Sequence, residues 1–148
     1  MKTIELWIAA ALVAVLPIAA GAQSSRPTSA KGATGVCGDA TGVDRAAMLD
    51  ALRTPVSASL RTKVDFKVER IRVCGDWAFI LTTPQLPSGG EPIWAGTVCG
   101  GDTSHLAGGL VRREDGQWRL LEYALCPGDV AWAEWPERYG TPAGIFDE

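Results

Sequence analysis

Each of the four cysteines in the chain is followed, within three residues, by an aspartate. The stretches read VCGD at 36–39, VCGD at 73–76, VCGGD at 98–102 and CPGD at 126–129. Thiolates and carboxylates bind metal ions, and thiolates and imidazoles carry out redox and nucleophilic chemistry, which makes these residues and the single histidine, His105, the first candidates for a site. The spacing between them decides which chemistry the sequence supports.

The spacing of the cysteines argues against a metal or redox site. Structural zinc sites draw thiolates from close C-x2-4-C pairs, whereas these cysteines lie 37, 25 and 27 positions apart. The sequence also lacks the C-x-x-C pair of thioredoxin-type enzymes, the oxygen-rich loop of calcium sites and the glycine patterns of phosphate-binding loops. We therefore expect no metal and no cofactor.

Disulfides are the favoured use of the cysteines, because an even number of them in a chain of this size is typical of an exported protein. Four cysteines allow three pairings, and we favour the sequential one, Cys37 with Cys74 and Cys99 with Cys126. By chain-entropy arguments each closed loop contributes about 3 to 4 kcal/mol. The aspartates then serve the adjacent turns, because an aspartate side chain bonds nearby backbone amides.

A joint acidic site is the less favoured interpretation of the same residues. If Cys74, Cys99 and Cys126 each end a strand at the same edge of a sheet, four potentially reactive side chains meet there: Asp76, Asp102, His105 and Asp129. The stretch DTSH at 102–105 does not by itself make a catalytic group, because neighbours on an extended stretch point to alternate faces. We assign no catalytic residue.

The N-terminal segment predicts export. Lys2 precedes a continuous apolar run at 6–16 and small residues follow it, which is the layout of a cleavable signal peptide over residues 1–22. Residues 23–35 are rich in Ser, Thr, Pro, Gly and Ala and predict a disordered tether, which leaves 36–148 as a single domain. We expect a periplasmic or secreted protein with no membrane span after cleavage. The formal net charge of −3 indicates no nucleic-acid partner.

The elements that position these residues begin with a helix. Residues 43–56 (VDRAAMLDALRTPV) predict an amphipathic helix that is capped by Asp44. Val43 is predicted to pack against Met48 across its first turn. Pro55 is predicted to end or kink the helix, because the residue before a proline avoids the helical region.

Alternating apolar and polar residues after Arg61 predict an antiparallel meander of four or five strands. A bulge near Glu69 and Arg70 would keep the apolar residues on both sides of it facing the core. Gly75–Asp76 and Asp115–Gly116 predict tight hairpin turns, and residues 94–98 (WAGTV) predict a further, weaker strand.

The predicted register of the last hairpin assigns its residues to the two faces of the sheet. With Asp115–Gly116 as the turn, Leu110 is expected opposite Leu121, and Tyr123 and Leu125 are expected on the same face. The opposite face also carries apolar residues. It is therefore expected to need a cover, which a terminal segment, a pocket or a second subunit would supply.

The C-terminal segment is rich in aromatic residues. It predicts one short helical turn that ends near Glu134 and a second that starts at Pro136. Four aromatic residues are the candidate partner-binding residues, because such side chains stack on glycan rings or on apolar groups of a partner: Trp94, Trp132, Trp135 and Tyr139. Core packing is the alternative for them.

Together these elements predict an α+β fold, in which one main N-terminal helix packs on a curved antiparallel meander of four or five strands and a short helical segment follows. The segments at 44–53 (DRAAMLDALR), 75–79 (GDWAF), 118–123 (WRLLEY) and 129–132 (DVAW) resemble small uncharacterised exported bacterial proteins of the cystatin-like and NTF2-like group. The resemblance implies a cystatin-like wrap or an NTF2-like cone.

The function expected first is that of a non-enzymatic exported domain that binds or modulates an envelope protein or glycan. The alternative is an NTF2-like small-molecule binder or enzyme with an aromatic-lined pocket. The second alternative is a homodimeric structural protein joined through the second face of the sheet.

Overall fold

The computed structural model describes residues 36–101 and 104–147, so the predicted signal peptide (1–22), the predicted tether (23–35) and Asp102 lie outside the described residues. The elements in chain order are β1 (Gly38–Asp39), α1 (Gly42–Leu60), β2 (Asp65–Cys74), β3 (Trp77–Gln85), β4 (Ala107–Glu114), β5 (Gln117–Leu125) and α2 (Trp135–Tyr139). The five strands form one antiparallel sheet in the order β1-β2-β3-β4-β5. The expected α+β class is confirmed. Among the described residues no helix is long and apolar enough to span a membrane.

Local sequence signals for turns and for the first bulge are confirmed. Gly75–Asp76 joins β2 to β3, and Asp115–Gly116 joins β4 to β5. The β2–β3 register shifts between Val68 and Arg70, where the bulge is expected. As a result, the apolar residues on both sides of the bulge pack into the core beneath α1: Val64, Phe66, Val68, Ile71 and Val73.

A second bulge lies in the last hairpin and makes part of its predicted register wrong. Leu110 pairs with Glu122, one residue beyond the predicted Leu121, because the β4–β5 register shifts at Leu110. Tyr123 and Leu125 therefore pack with the core on the α1 side, while Leu110 and Leu121 pack on the opposite face. A bulge changes the face of every residue that follows it, because side chains in a strand alternate.

The start of α1 differs from its prediction. The N-cap is Thr41, which makes no side-chain cap hydrogen bond, and Asp44 lies inside the first turn. The Asp44 carboxylate accepts hydrogen bonds from Arg113 Nη2 at 3.0 Å and Trp118 Nε1 at 3.1 Å instead of capping its own helix. Val43 is 86 % exposed, so the predicted contact with Met48 is absent.

Pro55 does not end α1, which continues to Leu60. Leu52, Val56 and Leu60 are spaced along one stripe and are buried against the sheet. This burial offsets the backbone hydrogen bond that a proline inside a helix removes. Arg61 follows as the C-cap, and its φ of 54° is left-handed.

Residues 94–98 form turns rather than the predicted strand. Gly96 has a φ of 78°, and the hydroxyl of Thr97 donates to the carbonyl of Trp94 at 2.6 Å, so the chain folds back on itself here. The chain between β3 and β4 is thus one connection of 21 residues, 86–106. The predicted meander had an additional strand before β4. Because that strand is absent, β4 and β5 run in directions opposite to the predicted ones.

The chain itself covers both faces of the sheet. α1 covers one face and lies so close to β4 that a methyl group added at Gly109 would come within 3.1 Å of Leu52. The segment after β5 covers the other, where Ile145 and Trp135 are buried against Phe79 and Leu110. This terminal segment is the cover that the apolar second face requires. It also occupies the surface at which the homodimer alternative placed its interface.

Candidate functional site

Two disulfides link the four cysteines, Cys37 with Cys74 and Cys99 with Cys126. These are the sequential pairs favoured above, and they leave no free cysteine among the described residues. Cys74 lies at the β2–β3 turn, whereas Cys126 follows the end of β5. In this meander those positions lie at opposite ends of the sheet, so the expectation that three cysteines share one edge is wrong.

The acidic edge does not assemble in the described residues. Asp76 lies in the β2–β3 turn, while His105 precedes Ala107 at the other end of the sheet. Asp129 is exposed, and its carboxylate accepts a hydrogen bond from the amide of Val130 at 2.7 Å, which is a local turn role. Within 36–101 and 104–147, no three His, Cys, Asp or Glu side chains are grouped to hold a metal ion. The physical reason is that residues 94–98 do not form a strand. With one strand fewer in the meander, β5 ends at the opposite end of the sheet from the one predicted.

The C-terminal aromatic residues predicted as a partner surface belong mainly to the second core. Trp135 is 2 % exposed and meets Phe79 edge-on, with ring centroids 6.3 Å apart. Trp132 lies 5.2 Å from the same ring and directly over Gly108, where an added methyl group would come within 3.0 Å of the indole. Because the second sheet face is apolar, the buried Trp135 and the half-buried Trp132 cover it.

Tyr139 joins an ionic contact that fixes α2 to β5. Its hydroxyl donates to Glu122 Oε2 at 2.7 Å, and Arg138 Nη1 lies 2.8 Å from both oxygens of the same carboxylate. The Tyr139 hydrogen bond, assisted by Arg138, lowers the pKa of Glu122, and the same bond raises the pKa of Tyr139. Glu122 therefore remains an ionised anchor at neutral pH.

Trp94, the fourth predicted aromatic residue, stabilises the long connection. Its half-buried indole stacks on the ring of His105, with centroids 4.2 Å apart and planes 11° apart. The amide of Cys99 donates to the Thr97 hydroxyl at 3.1 Å, and the disulfide then ties this stretch to Cys126. These contacts hold the described residues 94–99 and His105 in place, in a connection whose length alone is unusual for a compact domain.

The connection presents apolar side chains to solvent. Ile93 is 81 % exposed and Val98 is 66 % exposed, and Val130, four residues after the disulfide partner Cys126, is 53 % exposed. The described residues of 61–64, 86–106 and 126–130 lie at the end of the sheet where Asp65 pairs with Gln85. We call this surface the loop end.

Sequence reasoning missed the loop end because it read residues 94–98 as a strand with its own hydrogen-bonded neighbours. The available indication was Gly96 together with the Pro/Gly-rich run at 87–92, which favours turns over a strand. A connection of 21 residues held by a disulfide would then have followed.

The rest of the described surface provides weaker candidates for a binding site than the loop end does. A shallow, open depression on α2 is lined by Glu134, Glu137 and Arg138, and Arg138 is already paired with Glu122 and Glu134. On the other face, the close approach of Leu52 to Gly109 fills the space between α1 and β4.

Comparisons of the chain with protein-family models, with curated proteins and with solved structures found no significant match.

Proposed function

We propose that this chain is an exported, non-enzymatic domain, stabilised by disulfides, that binds or modulates a component of the cell envelope through its loop end. The two disulfides are compatible with an oxidising, extracytoplasmic compartment. The periplasmic or secreted location and the cystatin-like or NTF2-like ancestry are part of this proposal.

The observation that supports the proposal is the exposure of Ile93 and Val98 on the described part of the connection between β3 and β4. An exposed aliphatic side chain on its own is ordinary in a soluble protein. Here two of them lie on one connection, next to the Trp94–His105 stack and the disulfide at Cys99. A surface that is already ordered loses less conformational entropy when it binds, so this arrangement suits a binding site.

Two carboxylates of the described residues hold elements of the fold together and give no support to the enzyme alternative. Glu122 is engaged by Arg138 and Tyr139, and Asp44 is engaged by Arg113 and Trp118. These carboxylates are fixed in contacts between elements. The NTF2-like pocket gains no support from the α1 side, where Leu52 lies against Gly109.

Capture of envelope components by the exported protein tests the proposal. Ile93→Ser and Val98→Ser together are expected to reduce the captured component by about tenfold, since each removes apolar area from the contact. Val43→Ser is the matched control, because Val43 is 86 % exposed and lies on the first turn of α1, away from the loop end. If the native protein captures nothing, the binding function is wrong. If the double variant at Ile93 and Val98 captures as much as Val43→Ser does, the loop end is not the contact surface.

A further inference from the structure

The segment that covers the second sheet face is a distinct unit of the chain. We call residues 132–147 the cover, and the described residues up to Cys126 the body. Within the described residues, the backbone hydrogen bonds of the cover are local and join residues three or four apart, as from Gly140 to Pro136. The cover contributes no strand to the sheet. Its contacts with the body therefore depend on side chains.

The apolar contacts show which chemistry the second face accepts. Trp135 and Ile145 of the cover are buried against Phe79 and Leu110 of the body. The ring of Phe146 meets the ring of Phe79 edge-on, with centroids 4.9 Å apart. The face therefore has an observed occupant, which is an aromatic-rich segment of this chain.

The polar groups of the cover and the body are also complementary. Arg138 Nη1 and the Tyr139 hydroxyl donate to the carboxylate of Glu122 on the body, at 2.8 Å and 2.7 Å. In the other direction, Arg70 Nη1 of the body donates to the backbone carbonyl of Asp147 at 2.6 Å. Each unit carries the groups that the other needs, so the cover of a second copy would satisfy the body as well as its own cover does.

The hinge between the two units, residues 127–131, is strained where it begins. Cys126 has a φ of 51°, in the left-handed region that a residue other than glycine adopts at a cost. Residues 128–131 are exposed, so they can straighten without unpacking either unit. The disulfide to Cys99 keeps Cys126 with the body. A short hinge under strain favours the exchange of segments between copies.

We propose that two copies of this chain exchange their covers and form a domain-swapped dimer, in equilibrium with the closed monomer. The interaction surface is the second face of the sheet, and its partner is the cover of the second copy. Monomer and dimer share the same contacts between cover and body, so hinge strain and protein concentration decide the balance between them. This exchange does not depend on what the loop end binds.

Hinge length separates an exchange of covers from any other kind of dimer. The protein used starts at residue 23, after the predicted signal peptide. In sedimentation equilibrium we expect the dimer fraction of the native protein to increase with concentration. Deletion of residues 128–130 removes up to about 10 Å of reach, so the cover is expected to fold only onto a second copy and the protein to become mainly dimeric. Insertion of Gly-Ser-Gly after residue 129 is expected to give monomer.

Charge reversal tests the exchange independently of the hinge. Glu122→Arg and Arg138→Glu each place like charges opposite one another within one chain. When the two variants are mixed, an exchange of covers brings opposite charges together in both halves of the mixed dimer. We expect about tenfold more dimer in the mixture than in either variant alone.

A matched pair of variants within the body provides the control. Glu114 and Arg119 also form an ion pair, with 3.8 Å between Oε2 and Nε, but both lie on the β4–β5 hairpin. A mixture of Glu114→Arg with Arg119→Glu should therefore contain no more dimer than either variant alone. Circular dichroism verifies that each variant is folded.

Two results would overturn the exchange of covers. One is a mixture of Glu122→Arg with Arg138→Glu that contains no more dimer than the control mixture does. The other is a folded protein whose dimer fraction is the same with the shortened, the native and the lengthened hinge. If the shortened hinge prevents folding, the mixture of charge variants decides alone. Neither result changes the test of the loop end, which measures capture by Ile93 and Val98.

Discussion

Asp44, in the first turn of α1, accepts a hydrogen bond from the indole nitrogen of Trp118 on β5 at 3.1 Å. Arg113 on β4 donates to the same carboxylate at 3.0 Å, and its guanidinium lies over the Trp118 ring at 4.5 Å from the centroid. One carboxylate thus joins the start of the helix to both strands of the last hairpin. The Trp118 ring is buried, so its N–H needs this acceptor.

The first prediction concerns this contact. Asp44→Ala is expected to lower the free energy of unfolding by about 1 to 3 kcal/mol, because it leaves the Trp118 N–H without its partner. The ion pair with Arg113 is half exposed and adds little. Urea denaturation of Asp44→Ala, Trp118→Phe and the double variant should give a coupling energy of about 1 kcal/mol. Additive effects would show that the hydrogen bond does not contribute.

The second prediction concerns pH. The Tyr139 hydrogen bond lowers the pKa of Glu122 below its ordinary 4.5, so the folded protein holds the proton less tightly than the unfolded chain. The resulting stability is present above pH 4.5 and is lost as the pH falls through the lowered pKa. Urea midpoints measured across acid pH should fall less steeply in Tyr139→Phe than in the native protein. Glu137→Gln, on the exposed part of the same helix, should follow the native profile, and identical profiles in all three would contradict the assignment.

The third prediction separates the two disulfides. Replacing either pair by serine is expected to lower the free energy of unfolding by about 3 to 4 kcal/mol. Only Cys99→Ser with Cys126→Ser should also expose the connection at 86–106 to proteolysis, because that bond ties the connection to β5. Limited proteolysis with mass spectrometry locates the cuts. If residues 86–106 are cut equally in the variant that lacks Cys37 and Cys74, the disulfide between Cys99 and Cys126 does not order this connection.

The fourth prediction tests the closeness of α1 to the sheet. Gly109→Ala places a methyl group 3.1 Å from Leu52, so we expect the free energy of unfolding to fall by about 1 to 3 kcal/mol. Gly128→Ala is the matched control, since a methyl group there meets nothing within 4 Å. Thermal or urea unfolding of the pair provides the comparison. Equal stability of the two variants would mean that α1 shifts without cost.

The parts of the fold predicted from sequence are those whose causes are local. Gly75–Asp76 and Asp115–Gly116 specify tight turns through the backbone conformations that glycine and aspartate allow, and the change of apolar parity near Glu69 indicates a bulge. These signals need no knowledge of distant residues, and all three are confirmed.

The parts that were missed depend on distant partners. Asp44 reads as a helix cap until Arg113 and Trp118 are placed beside it. Binding and core packing stay equal alternatives for Trp135 until its ring is placed against Phe79. The predicted acidic edge is wrong for a related reason. Because 94–98 was assigned to a strand, the residues after it were placed at the wrong end of the sheet. A single error in strand number is sufficient to move a proposed site to the opposite end of a meander.

The bond between Cys37 and Cys74 determines how the domain bears mechanical load. A pull on the chain ahead of Cys37 passes through the sulfur atoms into the β2–β3 turn. All residues between the two cysteines, including the whole of α1, lie outside that load path. The helix can therefore stay packed on the sheet while tension is carried by β3 and the elements that follow it.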